Sequence, residues 1–186
     1  MKNLIKIGLG SVLTIALCLN VNAQHRHVKH PVAKKRAVKH VVKHRTITKV
    51  HAYKFIKRTN IVVVAAHRHV KRGKVYTGDF AKSVHHQRYA KVLLAKNKPH
   101  RAIQHSRLAR AYALKAIRAN KGQIKKEWAI NKEENEMLGD AIANDELEKE
   151  LKTYEPNAKY SDESVTDKDM TELEVLGTDP ADYKNE

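Results

Sequence analysis

The sequence predicts a mainly α fold: a small helical hairpin or bundle with a disordered or partly β basic arm before it and an acidic tail after it. Three observations point there. Residues 79–97 hold no Gly or Pro and are rich in good helix formers. Ala102, Ser106, Ala109, Ala113 and Ala116 recur at a 4-3-4-3 spacing, which lines small side chains along one helix seam. Charge is divided: residues 24–126 carry 29 Lys and Arg against one acid, Asp79, whereas residues 127–186 carry 6 Lys against 19 acids. Such blocks mark solvated, interacting segments. Only two Phe and one Trp are available in 186 residues, so the core is expected to be small.

Residues 1–23 read as a secretory signal peptide. Lys2 and Lys6 give a positive start, Ile7 to Leu19 an apolar run, and Val21-Asn22-Ala23 a cleavage site. The run is shorter than the roughly 18 apolar residues of a membrane span. Cys18, the one cysteine, lies inside it, so the chain from Gln24 onward uses no disulfide. The expected location is periplasmic or secreted, after cleavage near Ala23–Gln24.

Residues 24–78 form the basic arm, with 16 Lys and Arg, 8 His and no acid. "HRHVK" occurs at His25–Lys29 and again at His67–Lys71, a low-complexity similarity rather than a structural repeat. Disorder is expected up to Arg45. Over 46–76 the β-branched stretches "TITKV" and "NIVVVAA" suggest a β-hairpin, with Arg58-Thr59-Asn60 and Lys71-Arg72-Gly73 as turns. An isolated hairpin is marginal in water and would have to dock on the helices.

Residues 79–154 are expected to hold a helical hairpin and a third helix. Asp79 is placed to cap the first helix. Lys98–Pro99 ends it, and Pro99 suits the start of the second. The short turn makes the two antiparallel, and the small-residue seam lets a neighbouring helix come close. Gly122 is the expected C′ residue. Asn131 with Glu134 resembles a capping box that opens a helix running to Pro156, its acids set against the arginines of the helix before it. Gly139 inside that helix would cost about 1 kcal/mol relative to Ala. The acidic tail, 155–186, carries a short helix near 167–176, with Thr166 and Asp169 at its start.

For function, the arm reads as a grip on anionic surfaces. Lys34, Lys35, Arg36, Lys39, Lys43 and Arg45 lead it. The expected partner is an anionic envelope component (lipopolysaccharide, acidic polysaccharide or another polyanion) or an acidic protein, and histidine protonation would tighten the grip in acid. A second reading is a histidine-based buffer for Zn, Cu or Ni using His25, His27, His67 and His69. His67 and His69 would share a face on a strand. The fixed positive charges nearby would repel a dication and keep such binding weak. A third reading is a helical protein-interaction module with the arm as a solvated tail. Tyr53, Phe55 and Tyr76 are too few and scattered for a nucleic-acid stacking platform. No Gly-x-Ser-x-Gly elbow, Gly-rich phosphate loop or mature cysteine nucleophile is present, so neither a catalytic residue nor a cofactor is expected. The Lys/His-rich stretch 24–45 resembles in composition the exported, basic acid-shock proteins of bacteria. The resemblance covers those residues alone and carries no residue roles.

Overall fold

The computed structural model describes residues 47–174, which form six α-helices and no strand. The expected signal peptide, 1–23, the arm up to residue 46 and the tail beyond residue 174 lie outside the described residues. Three longer helices build the centre: α1 (Lys49–Gly73), α2 (Asp79–Ala95) and α3 (Pro99–Ala119). Each packs on the other two. The acidic third then lays α4 (Lys132–Leu138), α5 (Asn144–Tyr154) and α6 (Asp167–Glu174) on the outside of this bundle. No described helix is long and apolar enough to cross a membrane.

The expected hairpin at 46–76 is overturned: the segment is the 25-residue helix α1. Its β-branched residues follow a helical period, since Ala52, Ile56, Thr59, Val63, Ala66 and Val70 are all buried at alternating spacings of four and three. Burial of that stripe outweighs the few tenths of a kcal/mol that each Val or Ile loses in a helix. The supposed turns at 58–60 and 71–73 are helix interior and last turn. Thr48 caps the start, accepting from the His51 N–H, while the His51 ring takes the place of the usual Glu and accepts from the Thr48 N–H.

The small-residue seam of α3 is buried as expected. Ala102, Ser106, Ala109, Ala113 and Ala116 are each at most 1% exposed. Pro99 begins α3, and Asn97, at φ 56°, makes the tight turn from α2. The cap of α2 differs from expectation. Asp79 is its first helical residue and accepts from the Thr77 hydroxyl. The capping carboxylate comes from far along the chain: Asp162 accepts the backbone N–H groups of Thr77 and Gly78 at 2.9 Å and of Ala81 at 2.8 Å. An ionised acceptor at a helix N-terminus satisfies otherwise orphaned donors and complements the dipole. Asp162→Ala should therefore cost about 2 kcal/mol, read as a lowered urea midpoint. An unchanged midpoint would remove Asp162 from this role.

Two glycines act otherwise than expected. Lys121, at φ 55°, takes the left-handed position after α3, not Gly122. A Cβ on Gly122 would stand 2.6 Å from both His69 Nδ1 and Ile117 Cγ2, so this glycine permits close approach of α1. Gly139, with φ 53° and ψ −136°, is not a weak point within one helix. It separates α4 from α5. The Asn131–Glu134 capping box forms as expected, and so does the Thr166–Asp169 start of α6.

The apolar core falls into two clusters, one around Val63, Phe80, Ile117 and Trp128, the other around Phe55, Leu94, Ile103 and Met137. Buried polar side chains lie along the same three helices. Gln87 donates to the Ile56 carbonyl at 2.9 Å and to Asn60 Oδ1, and accepts from the Ser106 hydroxyl at 3.0 Å. Asn60 in turn donates to the Leu173 carbonyl at 2.7 Å, tying α6 to α1. A satisfied buried network of this kind fixes helix register.

Candidate functional site

Two features stand out. The first is the outward face of α1. At 100° per residue, Lys54, Lys57, Ile61, Arg68 and Arg72 fall within one narrow sector of the helix, and all five are exposed. None of these four cations makes an ion pair with a described residue. Other α1 cations are matched: Arg58 lies 2.9 Å from Glu134, and Lys71 lies 2.7 Å from Asp167. Towards the C-terminal half of the face, a cleft of about 230 Å³ opens between Ile61, Ala65, Arg68, Arg72, Lys125 and Trp128. Glu127 is the one carboxylate lining it, beside Lys125 at 3.6 Å.

Several carboxylates of the acidic third are engaged away from this face, as expected for the arginines of α3. Glu146 and Glu150 meet Arg101, and Glu134 meets Arg110. Asp169 and Glu172 meet Arg88 on α2.

The second feature is a buried histidine pair. His86 of α2 and His105 of α3 are both fully buried, with their Nδ1 atoms 3.0 Å apart. The other ring nitrogens face carboxylates of α5: His105 Nε2 lies 3.1 Å from Glu150 Oε2, and His86 Nε2 lies 3.6 Å from Glu148 Oε1. Tyr112 donates its hydroxyl to Glu148. Only one proton fits between the two Nδ1 atoms. His105 Nε2 is within hydrogen-bond reach of Glu150, whereas His86 Nε2 is a buried nitrogen with no hydrogen-bond partner among the described residues. Burial above all, with His86 adding to it and Glu150 opposing, lowers His105 to about 4. Glu148 is held down at about 2, chiefly by the facing His86 imidazole, with its own burial opposing and the Tyr112 hydroxyl assisting. Burial and Glu148 raise the Tyr112 phenol.

Lys34, Lys35, Arg36, Lys39, Lys43 and Arg45, and also His25 and His27, lie outside the described residues. His67 and His69 are described, and they are not brought together. On a helix, residues two apart point about 200° apart, so the shared face expected of a strand is lost. His67 stacks on Phe80 at 5.3 Å and lies 3.7 Å from Asp167, whereas His69 packs beside Gly122. Among the described residues no group of three or more His, Cys, Asp or Glu is placed to hold a metal ion. Sequence reasoning missed the cationic face because it read 46–76 as strand. The cation spacing 54, 57, 68, 72 carried the helical signal. No sequence pattern pairs His86 with His105: His86 lies nine residues before the end of α2 and His105 six after the start of α3. No protein-family model, curated protein or solved structure matches the chain.

Proposed function

We propose that the protein is exported and binds anionic envelope material, lipopolysaccharide or acidic polysaccharide, without catalysing a reaction. The basic arm and the outward face of α1 make the contact. The observation that carries this reading is the row Lys54, Lys57, Arg68 and Arg72, exposed and without an ion-pair partner among the described residues, while Glu134 and Asp167 meet the other α1 cations Arg58 and Lys71. The row continues the charge of the arm, because the strongly basic run 24–45 lies immediately before α1 in the chain. Arg and Lys on a solvated helix face attract a dense anionic surface and release its counterions on contact.

The test is binding of lipopolysaccharide to the chain from Gln24 onward across a salt series. Affinity should fall by roughly two to three orders of magnitude from about 50 to about 200 mM salt, by analogy with polyphosphate binding. Lys54→Gln with Lys57→Gln should weaken binding several-fold and make the salt dependence shallower. Binding that ignores salt, or no binding at low salt, would overturn the reading.

A further inference from the structure

We propose that the cleft beside Trp128 is a binding site for one sugar unit bearing an anionic group, either a phosphate or a carboxylate. This rests on the reading of α1 as the contact with anionic envelope material, and it names the unit that α1 holds. Arg68 and Arg72 are one helical turn apart, so their stems lie side by side on the same wall. Both are exposed, and neither forms an ion pair with a described residue. Planar guanidinium forks match the paired oxygens of phosphate and carboxylate. Lys125 stands on the other wall, its Nζ 5.5 Å from the Trp128 ring centroid. Three cations thus face one carboxylate, Glu127, a balance that repels a metal cation and attracts an anion.

The floor argues for a sugar rather than a bare anion. Ile61 (57% exposed), with the small exposed parts of Ala65 (6%) and Trp128 (7%), presents apolar surface, which gives nothing to inorganic phosphate but receives the C–H face of a pyranose. At about 230 Å³ the cleft is below the range of about 300–1,000 Å³ that holds drug-sized ligands, which suits one monosaccharide. His69 closes part of the wall, seated against Gly122.

Trp128 is the only tryptophan in the chain, so its fluorescence reports this cleft alone. The chain from Gln24 onward is titrated with glucose 1-phosphate, glucuronate, inorganic phosphate and methyl glucoside. The expected result is a saturable change with at least one of the two sugar anions, with phosphate at least about tenfold weaker and no response to methyl glucoside. The glucose 1-phosphate and glucuronate arms tell the two anionic groups apart. Arg68→Gln with Arg72→Gln should weaken the sugar anion by about tenfold or more. Lipopolysaccharide binding, carried also by the arm, Lys54 and Lys57, should drop much less. Both arginines face solvent, and an unchanged helical circular dichroism spectrum checks that the double variant is folded. The proposal is overturned if phosphate matches the sugar anions, if the double variant titrates like the parent, or if no sugar anion perturbs Trp128. Lipopolysaccharide binding with a silent Trp128 removes the cleft and leaves the broader reading standing. Sugar-anion binding without lipopolysaccharide binding does the reverse.

Discussion

Glu134→Ala should destabilise the fold by about 3–5 kcal/mol, a large part of the roughly 5–15 kcal/mol that holds a domain of this size together. Glu134 and Arg110 form a two-bonded pair at 2.8 and 2.9 Å, with side chains 5% and 2% exposed. Arg110 also donates to the Thr59 hydroxyl at 2.9 and 3.1 Å, and its guanidinium lies 4.6 Å from the Phe55 ring centroid. Glu134 further receives Arg58 at 2.9 Å and the Asn131 N–H at 3.1 Å. Removing the carboxylate strands a guanidinium that water cannot reach, and desolvation of that charge is the dominant loss. The contrast is Arg101, 39% exposed and paired with Glu146 and Glu150. Its replacement by alanine should cost no more than about 1 kcal/mol, because solvent screens the pair. Arg110→Met combined with Glu134→Leu should cost less than Glu134→Ala alone, since no buried charge is left over. Urea midpoints at constant slope measure all of these. A Glu134→Ala loss as small as that of Arg101→Ala would mean that the pair is hydrated in solution.

The charge layout, the helical hairpin and both capping boxes of the acidic third were legible because each depends on local chemistry. Pro99 fixes a backbone angle, Asn131 and Thr166 offer short acceptors, and the Ala/Ser seam repeats with the helical period. What was not legible depends on contacts distant in sequence. The stretch "NIVVVAA" reads as strand by propensity. It becomes helix because Val62, Val63 and Ala66 find the hairpin to bury against. The cap of α2 comes from Asp162, more than eighty residues on, where no local pattern announces it. The cationic face followed from the same misreading, since strand alternation would scatter Lys54, Lys57, Arg68 and Arg72 over both faces. The expectation that acids of the carboxyl third meet arginines of the preceding helix holds for Arg101 and Arg110, and it bears on function. By engaging those cations, the acidic third leaves the outer face of α1 as one of the surfaces that keep unpaired charge.

Acid should loosen the same structure from the other side, through the histidine pair. Unfolded, His105 binds its proton near its ordinary value of 6.5, and folded it does so only at about 4. Between those values the unfolded chain holds more protons, so stability falls as pH falls, by an amount on the order of 3 kcal/mol across the window. Glu148, lowered from 4.5 to about 2, acts in the same direction: its contribution is present above pH 4.5 and is lost towards pH 2. The structural cause is plain. A proton on His105 places a charge where solvent does not reach, in a site where His86 and His105 are both fully buried with their Nδ1 atoms 3.0 Å apart. The groups facing the pair offset this only in part. Glu148 and Glu150 come from α5, Tyr89 from α2, and Tyr112 and Arg101 from α3. The contact that gives way is therefore the docking of α5, which the pair holds through Glu148 and Glu150 alongside buried Leu147 and Leu151. Urea midpoints taken from pH 7 to pH 4 should decline, and His105→Asn, a neutral side chain that still donates and accepts, should flatten the decline. As α5 lifts, Arg101 loses Glu146 and Glu150, so lipopolysaccharide binding should strengthen over the same interval and do so less in His105→Asn. A midpoint flat between pH 6.5 and pH 4 would separate the pair from any acid response.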